Sequence, residues 1–265
     1  MASFADLIQL QPGAENLWAG EADTDYSHPA GQFGGWTAAV LLKAAMMEAG
    51  EHGPPLSLTV MYTEAIGAGP IEVSTRPLRA GQRLQFWRAE ISQRGKVCAH
   101  AQITFGARRS SKTEFTDAEM YASPPPEAEG LISFSPPTKF GQKLDCRSLP
   151  RPEAWKPGEY PARSVFWIRH NDGVAMDYPL LAMLADFSPP RPMMKTGQFM
   201  FSSTVSMNIY FHGSPEEVAA VGVGHILSDT ACRRCAGGYF DHELKLWSRT
   251  GALLATSEQV ATYRE

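Results

Sequence analysis

One carboxylate in this sequence stands where water would solvate it poorly. Asp186 comes at the end of an apolar stretch, PLLAMLADF, that runs into paired prolines. The stretch predicts a helix over residues 176–187, in whose last turn the helix dipole disfavours negative charge. The flanking leucine, alanine and phenylalanine solvate it poorly, so both effects should raise the carboxyl pKa. Such a carboxylate suits a general base that takes a proton from water, and the alternative is a solvated acid at a helix end.

Two further polar side chains lie in predicted strands. Gln259 alternates with small or apolar residues in the last strand, whereas the opposite face carries Glu258 and Arg264, so the Gln259 face is predicted to be the inner one. A buried amide needs partners for its oxygen and its N–H bonds, which either backbone groups or a water and a carboxylate would supply. Thr204 lies at an even position of FSSTVSMNIYFH, among other hydrogen-bonding residues. That polar face is predicted to be the solvated side of the sheet.

A glycine pair is predicted to begin a helix over residues 34–48. The segment FGG at 33–35 permits close approach to the first helical turn, where N–H groups are free to bind negative charge. Gly34 and Gly35 are therefore candidate donors to an oxyanion.

Other catalytic patterns are missing from the sequence. It has no G-x-S-x-G elbow, no H-E-x-x-H and no Rossmann glycine fingerprint. Cys232 and Cys235 form a C-x-x-C pair, but neither a second pair nor neighbouring histidines complete four zinc ligands. We therefore expect no metal and no cofactor, and cysteines that are reduced.

The charge balance bears on partners and location. The net charge of -4 argues against a general nucleic-acid binder, which must neutralise phosphates. Between Arg76 and Lys112, however, there are nine Lys or Arg residues and a single acid, Glu90. This excess is typical of a solvated strand face, and alternatively of a site for a phosphorylated small molecule. The N-terminus lacks a signal pattern and no apolar run could cross a bilayer, so we expect a cytoplasmic protein without membrane insertion.

The elements that must position these residues occur twice along the chain. An aromatic strand near residues 17–21 and the first helix are followed by β runs at 56–66, 71–78, 83–92 and 96–105. Short glycine-bearing joints between the last three predict antiparallel hairpins. The second half repeats the order, with a strand at 164–170, the helix at 176–187, and β runs at 198–212, 217–228, 238–248 and 252–264.

A proline-rich segment separates the two halves. Residues 107–162 have no sustained period and are predicted to form a long linker over the surface. The predicted organisation is an N-terminal unit at 1–110, a linker at 111–160 and a C-terminal unit at 161–265. Because a sheet with one helix must bury one face on that helix, the fold class is α+β.

This order resembles the hotdog fold, an antiparallel sheet wrapped around a central helix, present twice in one chain. The chain is similar to the bacterial acyl-CoA thioesterase II family of double-hotdog enzymes. The resemblance is carried by GQFGGWTAAVLL (31–42), RPLRAGQRLQFWRAEISQRGK (76–96), FWIRHND (166–172), LLAMLADF (180–187), STVSMNIYFH (203–212) and GALLATSEQVATYR (251–264). One departure is Trp36, where the family's first helix often begins Gly-Gly-Gln.

The resemblance implies hydrolysis of acyl-CoA thioesters to free acid and CoA, within lipid metabolism. In that family an Asp, a Thr and a Gln hold and activate a water, and these fall on Asp186, Thr204 and Gln259. It also implies a homo-oligomer, a dimer of double hotdogs.

Two alternatives remain open. One is a non-catalytic acyl-CoA-binding hotdog protein, and the other is an enoyl-CoA hydratase or dehydratase. The second needs a closely spaced Asp/His pair, for which Asp172 near His170 is the nearest approach.

Overall fold

The computed structural model describes residues 3–28, 30–50, 53–150 and 156–265. The helices are α1 (Phe4–Leu7), α2 (Gly34–Ala49), α3 (Tyr178–Leu184), α4 (Arg191–Thr196) and α5 (Pro215–Ala220), with 3-10 turns at Thr24–Tyr26 and Gly141–Lys143. The strands are β1 (Gln11–Pro12), β2 (Leu17–Ala22), β3 (Ser27–His28), β4 (Gly31–Gln32), β5 (Pro55–Tyr62), β6 (Gly69–Ala80), β7 (Leu84–Gln93), β8 (Lys96–Gly106), β9 (Ile132–Phe134), β10 (Leu144–Ser148), β11 (Ser164–His170), β12 (Phe201–Phe211), β13 (Ile226–Ala231), β14 (Cys235–Ala236), β15 (Tyr239–Trp247) and β16 (Leu253–Arg264).

Most described strands join one antiparallel sheet. Its order is β1-β2-β6-β7-β8-β5-β12-β16-β15-β13-β11-β10-β9, with β14 paired to β15, while β3 and β4 form a separate ribbon. The two halves meet where β5 pairs with β12, from Ser57 opposite Tyr210 to Met61 opposite Ser206. The predicted hairpins are antiparallel. The predicted α+β tandem hotdog, whose two sheets join edge to edge, is confirmed.

Helix α2 is the central helix of the N-terminal half. Almost all of its side chains from Gly35 to Ala45 are buried, as expected of a helix that is hydrophobic on every side. It packs against β5, β6, β7 and β8 on one side and against α3 on the other. It ends at Ala49 and is followed by Gly50, whose φ of 62° lies in the region that favours glycine. Among the helices of the described ranges, none is long and apolar enough to cross a membrane.

The central helix of the C-terminal half is shorter than predicted. Asp177 caps α3 by accepting a 2.8 Å hydrogen bond from the Leu180 N–H, and the helix ends at Leu184. The prediction of a helix over 176–187 was therefore too long. Asp186 lies beyond the last helical residue, in a turn that leads through the prolines to α4.

Two other expectations about secondary structure were wrong. The run at 217–228 begins as helix α5, not as a strand, because Ser214 and Glu217 form a capping box. The proline-rich segment is not only a surface linker, since it contains β9 and β10. Strand β10 pairs with β11 and extends the C-terminal sheet. The unit boundaries at 110 and 160 themselves stay predictions.

Candidate active site

Asp186 is the buried acid that the sequence predicts. Its side chain is 6% exposed. Burial raises its pKa to about 7, against the opposing effect of hydrogen bonds that it accepts from the Gln259 side chain and the Gly35 backbone N–H. The carboxyl group therefore changes its charge near neutral pH, which is the range that suits a general base.

Gln259 connects Asp186 to Thr204. Gln259 is 5% exposed and lies on the inner face of β16, as predicted. The Thr204 hydroxyl donates a 2.9 Å hydrogen bond to the Gln259 side-chain oxygen. This bond turns the amide nitrogen of Gln259 toward the carboxylate, so the three side chains form one hydrogen-bonded chain.

Thr204 is on the opposite face of β12 from the one predicted. A register shift between Thr204 and Ser206 makes Val205 the extra residue of a β-bulge. On one side of the bulge, Met207 lies opposite Gln259, and on the other, Thr204 lies opposite Ala261. Directly opposed residues share a face of the sheet, so Thr204 points inward, and Val205 is 39% exposed. Strict alternation of side chains between the two faces puts Thr204 on the wrong face, because it treats the bulge residue Val205 as an ordinary strand residue.

The start of α2 approaches the carboxylate from the N-terminal half. A Cβ at Gly34 would lie 2.7 Å from Oδ2 of Asp186, and a Cβ at Gly35 would lie 2.4 Å from the Met183 carbonyl oxygen. Only glycine permits this approach. The Tyr62 hydroxyl donates a 2.9 Å hydrogen bond to the Gly34 carbonyl and fixes this first turn.

A cavity of about 1360 Å³ opens beside these groups. Its wall includes Asp186, Thr204, Gln259 and Gly34. Most of the other lining groups are aromatic, aliphatic or proline side chains, several of them from the proline-rich segment, such as Phe134, Phe140 and Leu149. The volume exceeds the roughly 300–1,000 Å³ of ordinary small-molecule sites, so an extended ligand fits.

The Asp/His pair that a dehydratase would need lies elsewhere. The ring of His170 is 2.6 Å from Asp172 and 2.7 Å from the Tyr26 hydroxyl. Asp172 also accepts from the Phe4 N–H, so the group ties the N-terminal segment to β11. None of these residues lines the cavity. Within the described ranges, no cluster of three or more His, Cys, Asp or Glu residues is arranged to hold a metal ion.

Two side chains beside the predicted site were missed. Tyr62 ends the alternation Leu58, Val60, Tyr62 in β5, and His242 interrupts the apolar series Phe240, Leu244, Leu246 in β15. Both line the cavity. A polar group at an inward position of an otherwise apolar strand face was the signal that could have identified them.

Comparisons with known proteins agree with this architecture. Residues 23–106 match the model of an acyl-CoA thioesterase N-terminal domain, and residues 116–263 match that of an acyl-CoA thioesterase C-terminal domain. A hot dog fold protein of unknown function from Alicyclobacillus acidocaldarius is 30% identical, with a TM-score of 0.91 over 100% of this chain and 99% of its own. An acyl-CoA thioesterase II from Mycobacterium marinum is 18% identical, with a TM-score of 0.77 over 99% and 98% of the two chains.

A comparison with curated proteins found no match. The two family models together cover most of the sheet and all three of Asp186, Thr204 and Gln259. The chain therefore belongs to the acyl-CoA thioesterase family, and the protein is a thioester hydrolase.

Proposed function

We propose that the protein hydrolyses acyl-CoA thioesters with a water activated by Asp186, Thr204 and Gln259. The observation that carries the proposal is a buried carboxyl group with a pKa of about 7, on the wall of a large apolar cavity and hydrogen-bonded to Gln259. Burial of a carboxylate does not stabilise the fold, so a purely structural acid has no use for it. A general base that acts near neutral pH does need the raised pKa that burial gives.

The hydrogen-bonding capacity left over at the site suits one water. Thr204 uses its proton on Gln259 but keeps lone pairs, and the Gln259 amide has a second N–H besides the one directed at Asp186. A water that donates to the carboxylate and accepts from the amide is held for attack on the thioester carbonyl carbon. Asp186 takes one water proton as the oxygen–carbon bond forms and returns it to the sulfur as the carbon–sulfur bond breaks, so CoA leaves as the thiol and the free acid remains.

The two glycines take separate roles in this proposal. The N–H of Gly35 already donates to Asp186, where it holds the carboxylate at the positive end of α2. The N–H of Gly34, the first residue of the helix, has no carbonyl of a preceding turn to bond. We assign to Gly34 the donation to the developing oxyanion, while the hydrogen bond from Tyr62 to the Gly34 carbonyl fixes the next peptide group, which carries the Gly35 N–H.

A second groove suits the coenzyme end of the substrate. It has a volume of about 850 Å³ and shares His28, Glu64 and Cys98 with the wall of the main cavity. Arg94 and Lys96 line it, and both belong to the basic region between 76 and 112. These side chains would meet the phosphates of CoA while the pantetheine arm extends into the cavity.

The test is release of free CoA thiol from acyl-CoA esters of graded chain length. Hydrolysis that depends on Asp186 supports the proposal. Tight binding without turnover across the whole panel would show the non-catalytic acyl-CoA binder instead. The hydratase alternative lacks support, since the His170–Asp172 pair is outside the cavity.

A further inference from the structure

The turn that carries Asp186 is held only in part by its own backbone. Helix α3 ends at Leu184, and the Asp186 N–H reaches the Met183 carbonyl at a long 3.4 Å. Pro189 and Pro190 follow, and a proline has no N–H to donate. The turn therefore needs a partner from elsewhere if the carboxyl group is to keep one position.

A buried arginine closes this turn. Arg191 is the first residue of α4 and is 1% exposed. Its Nε donates a 2.9 Å hydrogen bond to the Pro189 carbonyl, and its Nη2 donates to the Ser188 hydroxyl. The Ser188 N–H in turn donates a 3.0 Å hydrogen bond to the Asp186 carbonyl. One residue thus connects the guanidinium to the proposed base.

The same guanidinium ties the turn to the C-terminal sheet. Its Nη1 donates a 2.9 Å hydrogen bond to the hydroxyl of Ser164, the first residue of β11. Burial, and then the charge of Arg191, lowers the pKa of His242 to about 3, so the guanidinium lies near that ring. His242 lies directly opposite Gln259 in the pairing of β15 with β16. Arg191 therefore joins the turn that carries Asp186 to the strands beside Gln259.

The chemistry of arginine suits this task better than that of other long side chains. Its five N–H donors form a rigid planar fork, so a single side chain can hold oxygens on Ser188, Pro189 and Ser164 at once. A lysine ammonium is a compact charge on a flexible stem and does not reproduce that geometry. Burial of a charge costs free energy that an apolar side chain of similar volume avoids, so packing alone does not call for arginine here.

We propose that Arg191 is a positioning residue that fixes the turn so that the Asp186 carboxylate stays against the Gly35 N–H and the Gln259 amide. Arg191 is not on the cavity wall, although Ser188 is, so its action on the substrate is indirect. The inference rests on the proposed hydrolysis and adds to it a residue that lies behind the cavity.

The experiment measures Tm, and kcat and KM for CoA release, in wild type, Arg191→Lys and Arg191→Met. The substrate is the acyl-CoA ester that the wild type hydrolyses fastest. Arg191→Lys keeps the charge but loses the fork, and Arg191→Met also removes the charge. We expect kcat to fall by about 10–10²-fold in both variants, the cost of a misplaced reacting group. KM should stay within about twofold, because no contact with the substrate is removed.

Arg147→Met is the matched control. Arg147 is partly buried in the same half and also donates to a proline carbonyl, 3.0 Å away on Pro126, but it is not on the cavity wall. This variant should have a lower Tm and an unchanged kcat. If Arg191→Met does not fold, Ser188→Ala removes the hydroxyl that Arg191 bonds and should lower kcat about fivefold, the value of one hydrogen bond.

A double substitution separates positioning from a general loss of packing. Asp186→Asn already removes the base, so adding Arg191→Lys should lower kcat little further. Losses that multiply would mean that Arg191 acts independently of Asp186 and would overturn the inference. A wild-type kcat in Arg191→Lys, or an equal loss of kcat in Arg147→Met, would overturn it as well.

Failure of the proposed function would look different, since no protein of the series would then release CoA. In that case unfolding decides the inference. The unfolding free energy of the wild type falls between pH 5 and pH 8 as the buried Asp186 ionises. That fall should be smaller in Arg191→Lys, because water reaches a carboxyl group whose turn is loosened. An equal fall in both proteins would show that Arg191 does not hold Asp186 in place.

Discussion

Replacing Asp186 by asparagine should stabilise the folded protein at alkaline pH while it removes the proposed base. Burial raises the pKa of this carboxyl group from 3.8 to about 7. Between these two values the unfolded chain has released a proton that the folded chain still holds, so stability falls as pH rises. Below 3.8 and above about 7 this contribution no longer changes with pH.

The magnitude follows from the same pKa values. Burial of this carboxyl group costs the folded state about 4 kcal/mol at pH 8 and about 2 kcal/mol at pH 5, at 1.36 kcal/mol per pKa unit. The stability difference between Asp186→Asn and wild type should therefore grow by about 2–3 kcal/mol between pH 5 and pH 8. In Asp186→Asn the new side-chain amide also faces the N–H donors of Gln259 and Gly35. This lowers the stability of the variant by about 1–3 kcal/mol at every pH.

The assay is urea unfolding at pH 5, 6.5 and 8, with kcat measured on the same samples. We expect kcat of Asp186→Asn to fall by about 10²–10⁴-fold, the typical loss of a general base. Asp117→Asn is the matched control, since it removes an exposed carboxylate outside the cavity and should match wild type in both measurements. Unfolding free energies of wild type and Asp186→Asn that run parallel with pH would refute the buried-base reasoning, as would a nearly unchanged kcat.

Three further changes probe the groups around the carboxylate. Thr204→Val should lower kcat by about 10–10²-fold by releasing the Gln259 amide, while Thr204→Ser retains the rate; equal kcat values for both variants would contradict the hydrogen-bonded chain. Gly35→Ala should destabilise the fold by about 1–3 kcal/mol, seen as a lower Tm, because its Cβ meets a backbone carbonyl. Gly34→Ala should mainly lower kcat, since its Cβ meets the end of the Asp186 side chain, and a Tm loss without a kcat loss would argue against that assignment. Lys96→Ala should raise KM for acyl-CoA about two- to fivefold and weaken the salt dependence of KM. An unchanged KM at low salt would show that Lys96 does not contact the coenzyme end of the substrate.

The sequence predicts the site best where a residue's immediate neighbours determine its environment. The apolar neighbours of Asp186 and the small residues that alternate with Gln259 predict their burial, and the structure has both buried. Thr204 required knowledge of a bulge, which depends on how β12 pairs with its neighbours and not on its own composition.

The remaining differences also come from long-range contacts. The proline-rich segment has no period of its own, yet β10 forms because β11 offers an unpaired edge. The hydrogen bond from Tyr62 to Gly34 and the pairing of His242 with Gln259 join residues far apart in sequence. Alternation marks both side chains as inward-facing polar groups but does not say which ones meet the cavity.

The pairing of β5 with β12 also determines what each half can do by itself. Separated from the other, either half would expose a long central strand as an open edge, which invites aggregation or self-pairing. Neither fragment would hold a whole site, because Asp186 comes from one half and the Gly35 N–H that bonds it from the other. Two separately produced fragments should therefore be inactive alone and recover hydrolysis when they are mixed and β5 pairs with β12 again. Their activity would then be a direct reporter of fragment reassembly.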